Sequence, residues 1–325
     1  MSKRIVVRRV GGPEVLETED YDTPQPGPGE ALVRQTAIGL NYIDTYFRSG
    51  LYPSPTGLPF TPGSEAAGIV EAVGEGVGDV KVGQRVAYAG PLGAYAERRV
   101  VPARVLIPLP DSVSDEQAAA MMLKGMTAQY LLRQTYVVKP GDTILFHAAA
   151  GGVGLIACQW AKHLGATVIG TVGSDDKADL ARAHGCDHVI LYKQEDVPAR
   201  VREITGGKGV PVVYDGVGKA TFVASLDCLR PRGLMVSFGN ASGAVDAFNL
   251  GILSQKGSLY VTRPTLFSYT ATRDELLATA ADLFDVVGSG KVKIAVNQSY
   301  RLDQAAEAHR ALESRQTTGS TLLLP

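Results

Sequence analysis

The sequence predicts an α/β protein that combines a doubly wound, six-stranded parallel sheet with a second, β-rich domain. One observation is the apolar run 143–146, which is followed directly by the glycine-rich stretch 148–154 and an uninterrupted helical pattern. A second is a change of rhythm along the 325 residues. Before about residue 125, strand-like runs are separated by glycine- and proline-rich stretches. After residue 142, strands alternate with helices. A parallel sheet requires this alternation.

The first 124 residues are predicted to form the β-rich domain. Strand-like runs occur at 4–7, 30–35, 67–73 and 84–88. Glycine- and proline-rich stretches separate them. Short strands with long loops are typical of a small barrel or sandwich.

The alternating region is predicted to supply six strands and their crossover helices. The strands are expected at 143–146, 166–172, 188–191, 210–214, 234–238 and 258–262. The helices are expected at 155–164, 175–184, 195–205 and 219–229. Six strands connected in this way complete a doubly wound dinucleotide fold.

The chain after residue 265 is predicted to return to the β-rich domain. Helical patterns at 272–288 and 302–314 precede a last strand at 320–324. Because a finished six-stranded sheet has no place for that strand, we expect it to pair in the first domain and to leave a cleft between the two lobes. The predicted domains are therefore 1–124 with 265–325, and 125–264.

The loop Gly151, Gly152, Val153 and Gly154 lies between the first strand and the first helix of the parallel sheet. A helix N-terminus carries unpaired N–H groups and a partial positive charge, which suit a pyrophosphate. Glycine lets the backbone approach the phosphates closely. Dinucleotide binding is therefore the leading hypothesis.

The end of the second strand indicates which dinucleotide is bound. Val172 stands where NAD-selective folds carry the acid that holds the ribose 2′-OH, and Gly173, Ser174 and Lys177 follow it. A hydroxyl donor and a cation suit a 2′-phosphate, so NADP(H) is favoured over NAD(H). The aspartates at 175–176 add negative charge nearby. In the alternative interpretation, Ser174 merely caps the helix and Lys177 is solvated.

Composition excludes several classes of function. The net charge of −1 disfavours nucleic acid as the main partner. No apolar run approaches the roughly 20 residues that span a bilayer, and no signal peptide is recognisable, so a cytoplasmic location is expected. The three cysteines are far apart and include no Cys-x-x-Cys pair, so neither a disulfide framework nor a structural zinc site is supported.

The stretch 141–162, which contains the first strand, the glycine loop and a Gln-Trp-Ala-Lys helix, resembles the signature of quinone oxidoreductases of the zeta-crystallin type. These enzymes belong to the medium-chain dehydrogenase/reductase superfamily. The segments 62–68, 37–44 and 317–320 are similar to further motifs of the family, so the resemblance covers essentially the whole chain. It implies a Rossmann domain, a GroES-like catalytic domain and NADPH-dependent reduction of a quinone in the interdomain cleft.

The alcohol dehydrogenases of this superfamily hold a catalytic zinc with thiolates and an imidazole. Here Asn41 stands in place of the first cysteine, Ser64 in place of the histidine, and Lys124 near the third ligand. These residues cannot assemble a tetrahedral N/S site, so a zinc-independent reductase is expected. Without a metal to polarise a carbonyl, the substrate must accept electrons readily, as quinones and α,β-unsaturated carbonyls do.

The resemblance also implies the site residues. The catalytic candidates are Asn41, Tyr46, Tyr52, Lys124 and Thr127. Asn41 and Tyr46 are also implied as cofactor contacts at the nicotinamide–ribose end, and Lys124 and Thr127 are implied near the carboxamide. Tyr46 or Tyr52 would hydrogen-bond a substrate oxygen, although ordinary loop packing is the alternative for both. Further cofactor contacts, several of them at strand ends that line the ligand crevice, are implied at Tyr130, Tyr192, Gly216, Phe238, Gly239, Asn240, Thr265, Leu266, Phe267 and Arg315.

Two other functions stay open at this point. An enal or enone reductase of the same fold is the enzymatic alternative. A crystallin-like structural or RNA-binding role belongs to a different class, and the nearly neutral charge disfavours it. The segment 250–261 is predicted to present an exposed strand edge, which in related enzymes pairs across a two-fold axis to form a homodimer.

Overall fold

The computed structural model describes residues 1–325 and divides into two compact units. The first unit comprises 1–124, 272–284 and 294–325, and the second comprises 125–271 and 285–293. The segments 265–271 and 285–293, which the sequence-based boundary assigns to the β-rich domain, belong to the second unit. Within that unit, Tyr269 of the first of these segments stacks on Tyr130.

The N-terminal part of the chain consists mainly of antiparallel β-strands. Its strands are β1 (Ser2–Val7), β2 (Leu16–Tyr21), β3 (Glu30–Leu40), β4 (Glu65–Val73), β5 (Arg85–Ala89), β6 (Arg98–Pro102) and β7 (Ile107–Pro108). Its helices are α1 (Tyr42–Ser49) and α2 (Asp115–Tyr130), and a π-helical turn, Leu131–Thr135, continues α2. Strands β1 and β2 form a sheet of their own.

The second unit contains the parallel sheet that the alternating pattern predicts. Its strands are β8 (Thr143–Phe146), β9 (Thr167–Val172), β10 (His188–Leu191), β11 (Val210–Asp215), β12 (Leu229–Ser237) and β13 (Tyr260–Thr262). Its helices are α3 (Gly152–His163), α4 (Asp175–Ala183), α5 (Val197–Ile204), α6 (Phe222–Cys228), α7 (Gly251–Gln255) and α8 (Leu266–Tyr269). The strand order is β10-β9-β8-β11-β12-β13 with every pairing parallel, which confirms the six-stranded doubly wound fold.

The C-terminal part of the chain contains α9 (Arg273–Gly288), β14 (Val296–Arg301), α10 (Ala305–Glu313) and β15 (Ser320–Leu324). Strand β15 pairs antiparallel with β3, with Leu322 opposite Gly39, and parallel with β14. The prediction that the last strand returns to the N-terminal β-structure is therefore confirmed. The resulting seven-stranded sheet has the order β14-β15-β3-β4-β5-β7, and β6 also pairs with β3.

The segment 250–261 includes the edge of the parallel sheet as predicted, but a helix that was not predicted precedes its strand. Residues 251–255 form α7, and only Tyr260 and Val261 of the predicted segment lie in a strand. The Asn249 side chain accepts a hydrogen bond from the Gly251 N–H at 2.8 Å, which supports a helical start. Strand β13 is nevertheless the last strand of its sheet, so one edge of the sheet lies there.

The strands of the parallel sheet contribute to the buried core of the second unit. All six residues of β11 are buried, because helices cover both faces of a parallel sheet. Leu145, Ile169, Val213 and Met235 of four neighbouring strands pack in one apolar cluster. None of the helices combines the length and the apolar character that crossing a bilayer requires.

Candidate active site

The glycine loop of the second unit forms a backbone cradle at the start of α3. Gly151 is the N-cap residue and offers no side-chain cap to the first N–H groups. A Cβ atom at Gly154 would lie 2.4 Å from the Ala148 carbonyl oxygen and 2.7 Å from that of Ala149, so only glycine fits there. Ala148 itself adopts a positive φ of 53°. The open helix N-terminus and close backbone packing fit a dinucleotide pyrophosphate.

The end of β9 fits a ribose that carries a 2′-phosphate. Val172 ends the strand, so no carboxylate occupies that position. A Cβ atom at Gly173 would lie 2.7 Å from the Tyr192 hydroxyl, which brings these two predicted contacts together. Ser174 is the N-cap of α4 but its side chain makes no capping hydrogen bond, and Lys177 lies in the first turn of α4. A hydroxyl and an ammonium at a helix N-terminus are suited to a phosphate.

The ends of β11 and β12 bring together a third group of predicted contacts. A Cβ atom at Gly216 would lie 3.0 Å from the Phe238 ring, and one at Gly239 would lie 2.4 Å from the Gly216 carbonyl oxygen. The loop is held by Asp215, which is fully buried. Its Oδ1 accepts the N–H groups of Val217 at 2.7 Å and Gly218 at 3.1 Å. Sequence reasoning did not select Asp215, although an acid that ends an apolar strand is a recognisable signal.

In the first unit, a buried carboxylate links two of the predicted catalytic residues. Glu65 is fully buried. Its Oε2 accepts the Asn41 side-chain amide at 2.7 Å and lies 3.0 Å from the Lys124 ammonium. Its Oε1 accepts the Leu123 N–H at 2.7 Å. Lys124 is therefore a buried cation in an ion pair, with a side chain only 7% exposed.

A second buried carboxyl group, Asp44, lies on α1. Its Oδ2 accepts the Asn41 backbone N–H at 2.9 Å and the Tyr95 hydroxyl at 3.1 Å. The Ser64 hydroxyl lies 3.4 Å from Oδ1. Burial raises the pKa of Asp44 to about 7 against the lowering effect of these donors. Asn41 thus bonds one acid through its backbone and the other through its side chain.

The polar cluster continues to the C-terminal helix α10. The Tyr95 hydroxyl lies 3.0 Å from His309 Nε2, and Arg48 Nη1 lies 3.2 Å from His309 Nδ1. Because a guanidinium only donates, Nδ1 must accept and Nε2 must carry the proton. Arg48, itself 2% exposed, also pairs with Glu313 at 2.6 Å. Donated hydrogen bonds therefore run from Arg48 through His309 and Tyr95 to Asp44, and burial lowers the pKa of His309 to about 3.

The two predicted tyrosines of the first unit are neighbours. The Tyr46 and Tyr52 rings make an edge contact, with centroids 5.2 Å apart, and the Tyr52 N–H donates to the Tyr46 carbonyl at 3.0 Å. Helix α1 carries Tyr46 and begins with a capping box formed by Asn41 and Asp44. Tyr46 is buried at 8% exposure, so packing accounts for most of its surface.

The remaining predicted site residues lie on several different elements and differ in burial. Tyr130 is buried and stacks on Tyr269, whereas Phe267 on α8 is 46% exposed. The others are Thr127, partly buried on α2; Asn240, buried after β12; Thr265, the N-cap of α8; Leu266, buried on α8; and Arg315, which follows α10 in the first unit with a φ of 60°.

The donor set does not fit a zinc ion. No three or more His, Cys, Asp or Glu side chains come together as metal ligands. At the positions of the zinc ligands in the superfamily, this chain offers the amide of Asn41, the hydroxyl of Ser64 and the ammonium of Lys124. A tetrahedral zinc site uses thiolate and imidazole. All three cysteines are buried and free.

Comparison with known proteins places this geometry among solved relatives. Residues 152–285 match the family model described as zinc-binding dehydrogenase, and residues 27–111 match the alcohol dehydrogenase GroES-like domain. A quinone oxidoreductase of Pseudomonas aeruginosa is 62% identical over 326 residues, with 100% of each chain covered. The crystal structure of Escherichia coli quinone oxidoreductase complexed with NADPH is 56% identical, with a TM-score of 0.98 over 99% of this chain and 100% of that one. A 2-haloacrylate reductase of a Burkholderia species is 49% identical, with 98% of each chain covered.

Proposed function

Because the chain belongs to the quinone oxidoreductases of the medium-chain dehydrogenase/reductase superfamily, we propose that it reduces quinones with NADPH and without zinc. The observation that carries this proposal is the 62% identity to a quinone oxidoreductase over the full length of the chain, combined with an intact glycine cradle. The preference for NADP(H) inferred from Val172, Ser174 and Lys177 agrees with the NADPH complex of the Escherichia coli relative.

NADPH supplies the hydride, and the second unit has to bind and orient it. The backbone of Gly151, Gly152, Val153 and Gly154 receives the pyrophosphate, and Gly173, Ser174, Lys177 and Tyr192 receive the adenosine end. We assign the contacts of the nicotinamide half to Tyr130, Gly216, Phe238, Gly239, Asn240, Thr265, Leu266 and Phe267. Arg315 is the last of the proposed cofactor contacts.

The proposed polar groups for the quinone are the predicted catalytic side chains. A quinone oxygen gains negative charge as hydride arrives, and fixed donors that face such an oxygen lower the barrier. Tyr46 and Tyr52 are the proposed donors to that oxygen. Lys124 forms an ion pair with Glu65 at 3.0 Å, and Asn41 is fixed by both buried acids. Thr127 is proposed to position the carboxamide of the nicotinamide together with Lys124.

The central experiment measures NADPH oxidation with 1,4-benzoquinone before and after treatment with a strong zinc chelator. We expect quinone-dependent oxidation that the chelator leaves unchanged. No oxidation with benzoquinone would contradict the proposed reaction, and loss of activity that zinc restores would contradict its zinc independence.

The cofactor preference has its own test. Lys177→Ala should raise KM for NADPH by about ten- to a hundredfold and leave KM for NADH unchanged, since a charge-assisted hydrogen bond contributes about 1.5–3 kcal/mol. Lys208→Ala, which removes an exposed lysine in the loop after α5, is the matched control. Equal effects on both coenzymes would argue against a 2′-phosphate contact.

Reduction of an α,β-unsaturated carbonyl is the second candidate. The relative that favours it is the 2-haloacrylate reductase, at 49% identity. Parallel assays with a 2-alkenal and with 1,4-benzoquinone separate the two activities. A kcat/KM for the alkenal above that for benzoquinone would make it the main reaction.

We also propose a homodimer formed at the edge strand β13. Tyr260 on this strand is 61% exposed, and Leu250 and Phe248, which precede α7 in the chain, are 72% and 40% exposed. Exposed apolar side chains and an unpaired strand edge favour association. Size-exclusion chromatography at micromolar concentration should give a dimer. A Tyr260→Lys variant should shift it to a monomer, and a monomeric wild type would contradict the proposal.

A further inference from the structure

The π-helical turn Leu131–Thr135 joins several segments of the second unit. Its backbone bond runs from the Tyr136 N–H to the Leu131 carbonyl at 3.2 Å, five residues back. The Tyr214 hydroxyl donates to the same carbonyl at 3.2 Å. Tyr214 lies on β11 directly before Asp215 and the Gly216 loop. Isolated π-helical turns are uncommon and occur often at functional sites.

Tyr269 contacts both ends of this turn. Its ring stacks on Tyr130, which directly precedes the turn, with centroids 4.5 Å apart and planes inclined by 12°. Its hydroxyl accepts a hydrogen bond from Thr135 Oγ1, the last residue of the turn, at 2.9 Å. At the other end of the connection from β13, Arg263 donates to the Ser237 carbonyl at 2.8 Å. The segment between Arg263 and Tyr269 is therefore fixed at both ends.

The strand order identifies which half of the dinucleotide this segment faces. The pyrophosphate cradle follows β8, and the proposed 2′-phosphate contacts follow β9, on the β10 side of the sheet. A dinucleotide lies across the strand ends, so its nicotinamide half must lie on the side of β11, β12 and β13. The segment Thr265–Phe267 begins three residues after the end of β13 and thus lies on the nicotinamide side.

We infer that Tyr269 is a positioning residue which, seated on the π-helical turn, sets the conformation of 265–267 for the nicotinamide half of NADPH. The inference rests on the proposed function. Helix α8 has only four residues, and so short a helix has little stability of its own. Its geometry therefore depends on what holds it, and pre-arranged contacts cost less to order when a ligand binds.

The test compares the Kd of NADPH with that of 2′,5′-ADP, which contains only the adenosine end with its phosphates. Tyr269→Leu should raise the Kd of NADPH about tenfold through loss of the ring stack and the hydrogen bond. It should leave the Kd of 2′,5′-ADP unchanged. Tyr269→Phe keeps the stack and should raise the Kd of NADPH about two- to threefold, as should Thr135→Val. The double variant Tyr269→Phe/Thr135→Val should be no weaker than either single variant.

Val137→Ala, which trims a side chain 54% exposed beside the turn, is the matched control and should change neither Kd. An unchanged NADPH affinity in Tyr269→Leu would overturn the inference, as would an equal loss for both ligands. If the wild type binds NADPH and the variants behave as expected but benzoquinone is not reduced, the positioning role stands and the proposed function fails. If the wild type does not bind NADPH, both fail.

Discussion

Asp44 and His309 are bonded to the same tyrosine hydroxyl, and their pKa values are displaced in opposite directions. Burial raises the pKa of Asp44 from 3.8 to about 7, although the Asn41 N–H, the Tyr95 hydroxyl and the Lys124 charge oppose it and Glu65 reinforces it. Burial lowers the pKa of His309 from 6.5 to about 3, and the charge of Arg48 adds to this. Both groups therefore favour their neutral forms in the folded protein.

These displacements give opposite dependences of stability on pH. Between about pH 4 and pH 7 the folded state binds more protons at Asp44 than the unfolded state, so its contribution falls as pH rises. Three pKa units at 1.36 kcal/mol each amount to about 4 kcal/mol. Between about pH 4 and pH 6.5 the folded state binds fewer protons at His309, so that contribution rises with pH by about 3 kcal/mol. The two contributions nearly cancel in the wild type.

Single substitutions should reveal the contribution of each group to the pH dependence of stability. Asp44→Asn removes the first titration, and His309→Gln removes the second while keeping an acceptor for Arg48 and a donor for Tyr95. The measurement is the free energy of unfolding in urea at several pH values, taken as wild type minus variant. This difference should fall by about 4 kcal/mol from pH 4 to pH 7 for Asp44→Asn and rise by about 3 kcal/mol for His309→Gln.

Asp246→Asn, which alters a carboxylate 74% exposed, is the control and should give a flat difference. A flat difference for Asp44→Asn would refute the reasoning, because it would mean that the donors from Asn41 and Tyr95 keep the buried carboxylate charged at acidic pH. A falling difference for His309→Gln would refute the assigned neutral imidazole.

Two further predictions concern the buried ion pair and the glycine cradle. Lys124→Met should lower the free energy of unfolding by about 3–5 kcal/mol, because it leaves the Glu65 charge buried without a cation. The double variant Glu65→Gln/Lys124→Met should recover most of that loss in the same urea measurement, and a strictly additive result would contradict the coupling. Gly154→Ala should lower the free energy of unfolding by about 1–3 kcal/mol and weaken NADPH binding at least tenfold, since the new Cβ would press on the Ala148 carbonyl. Gly78→Ala, where a Cβ meets nothing within 4 Å, is the matched control, and equal effects of the two alanines would contradict the steric argument.

The sequence predicts those features whose determinants are local. The apolar strand, the glycine turn and the helix after it follow one another within a few residues, so the cradle at 151–154 is readable without tertiary information. The return of β15 was predictable because a complete parallel sheet leaves its strand without a partner. Helix α7 was not predicted, because a short apolar run has no period that separates strand from helix. The strand predicted at 258–262 is present as β13 at the edge of the sheet.

The buried polar cluster was not predictable for the opposite reason. Tyr95 and His309 are 214 residues apart, and Arg48 and Glu313 are 265 apart, yet each pair is in direct contact. A histidine on an amphipathic helix such as α10 carries no local sign that it will face a buried tyrosine. Only Glu65 gave a hint, because an acid at the start of a strand of small apolar residues must find a partner when the strand is buried.

The charges of this cluster explain how groups of the chain itself balance the two buried acids of the first unit. In a zinc dehydrogenase a divalent cation would lie among such groups, whereas here the only buried ammonium beside them belongs to Lys124 and contacts Glu65. Asp44 receives only neutral donors, and with a pKa of about 7 it is mostly protonated below that pH. One carboxylate is therefore matched by one fixed cation, while the other acid is neutralised by a proton. Because one acid is paired with a cation and the other is protonated, Asn41 can donate its side-chain amide to Glu65 and its backbone N–H to Asp44. A zinc-bound thiolate at the same position would have no side-chain donor for Glu65.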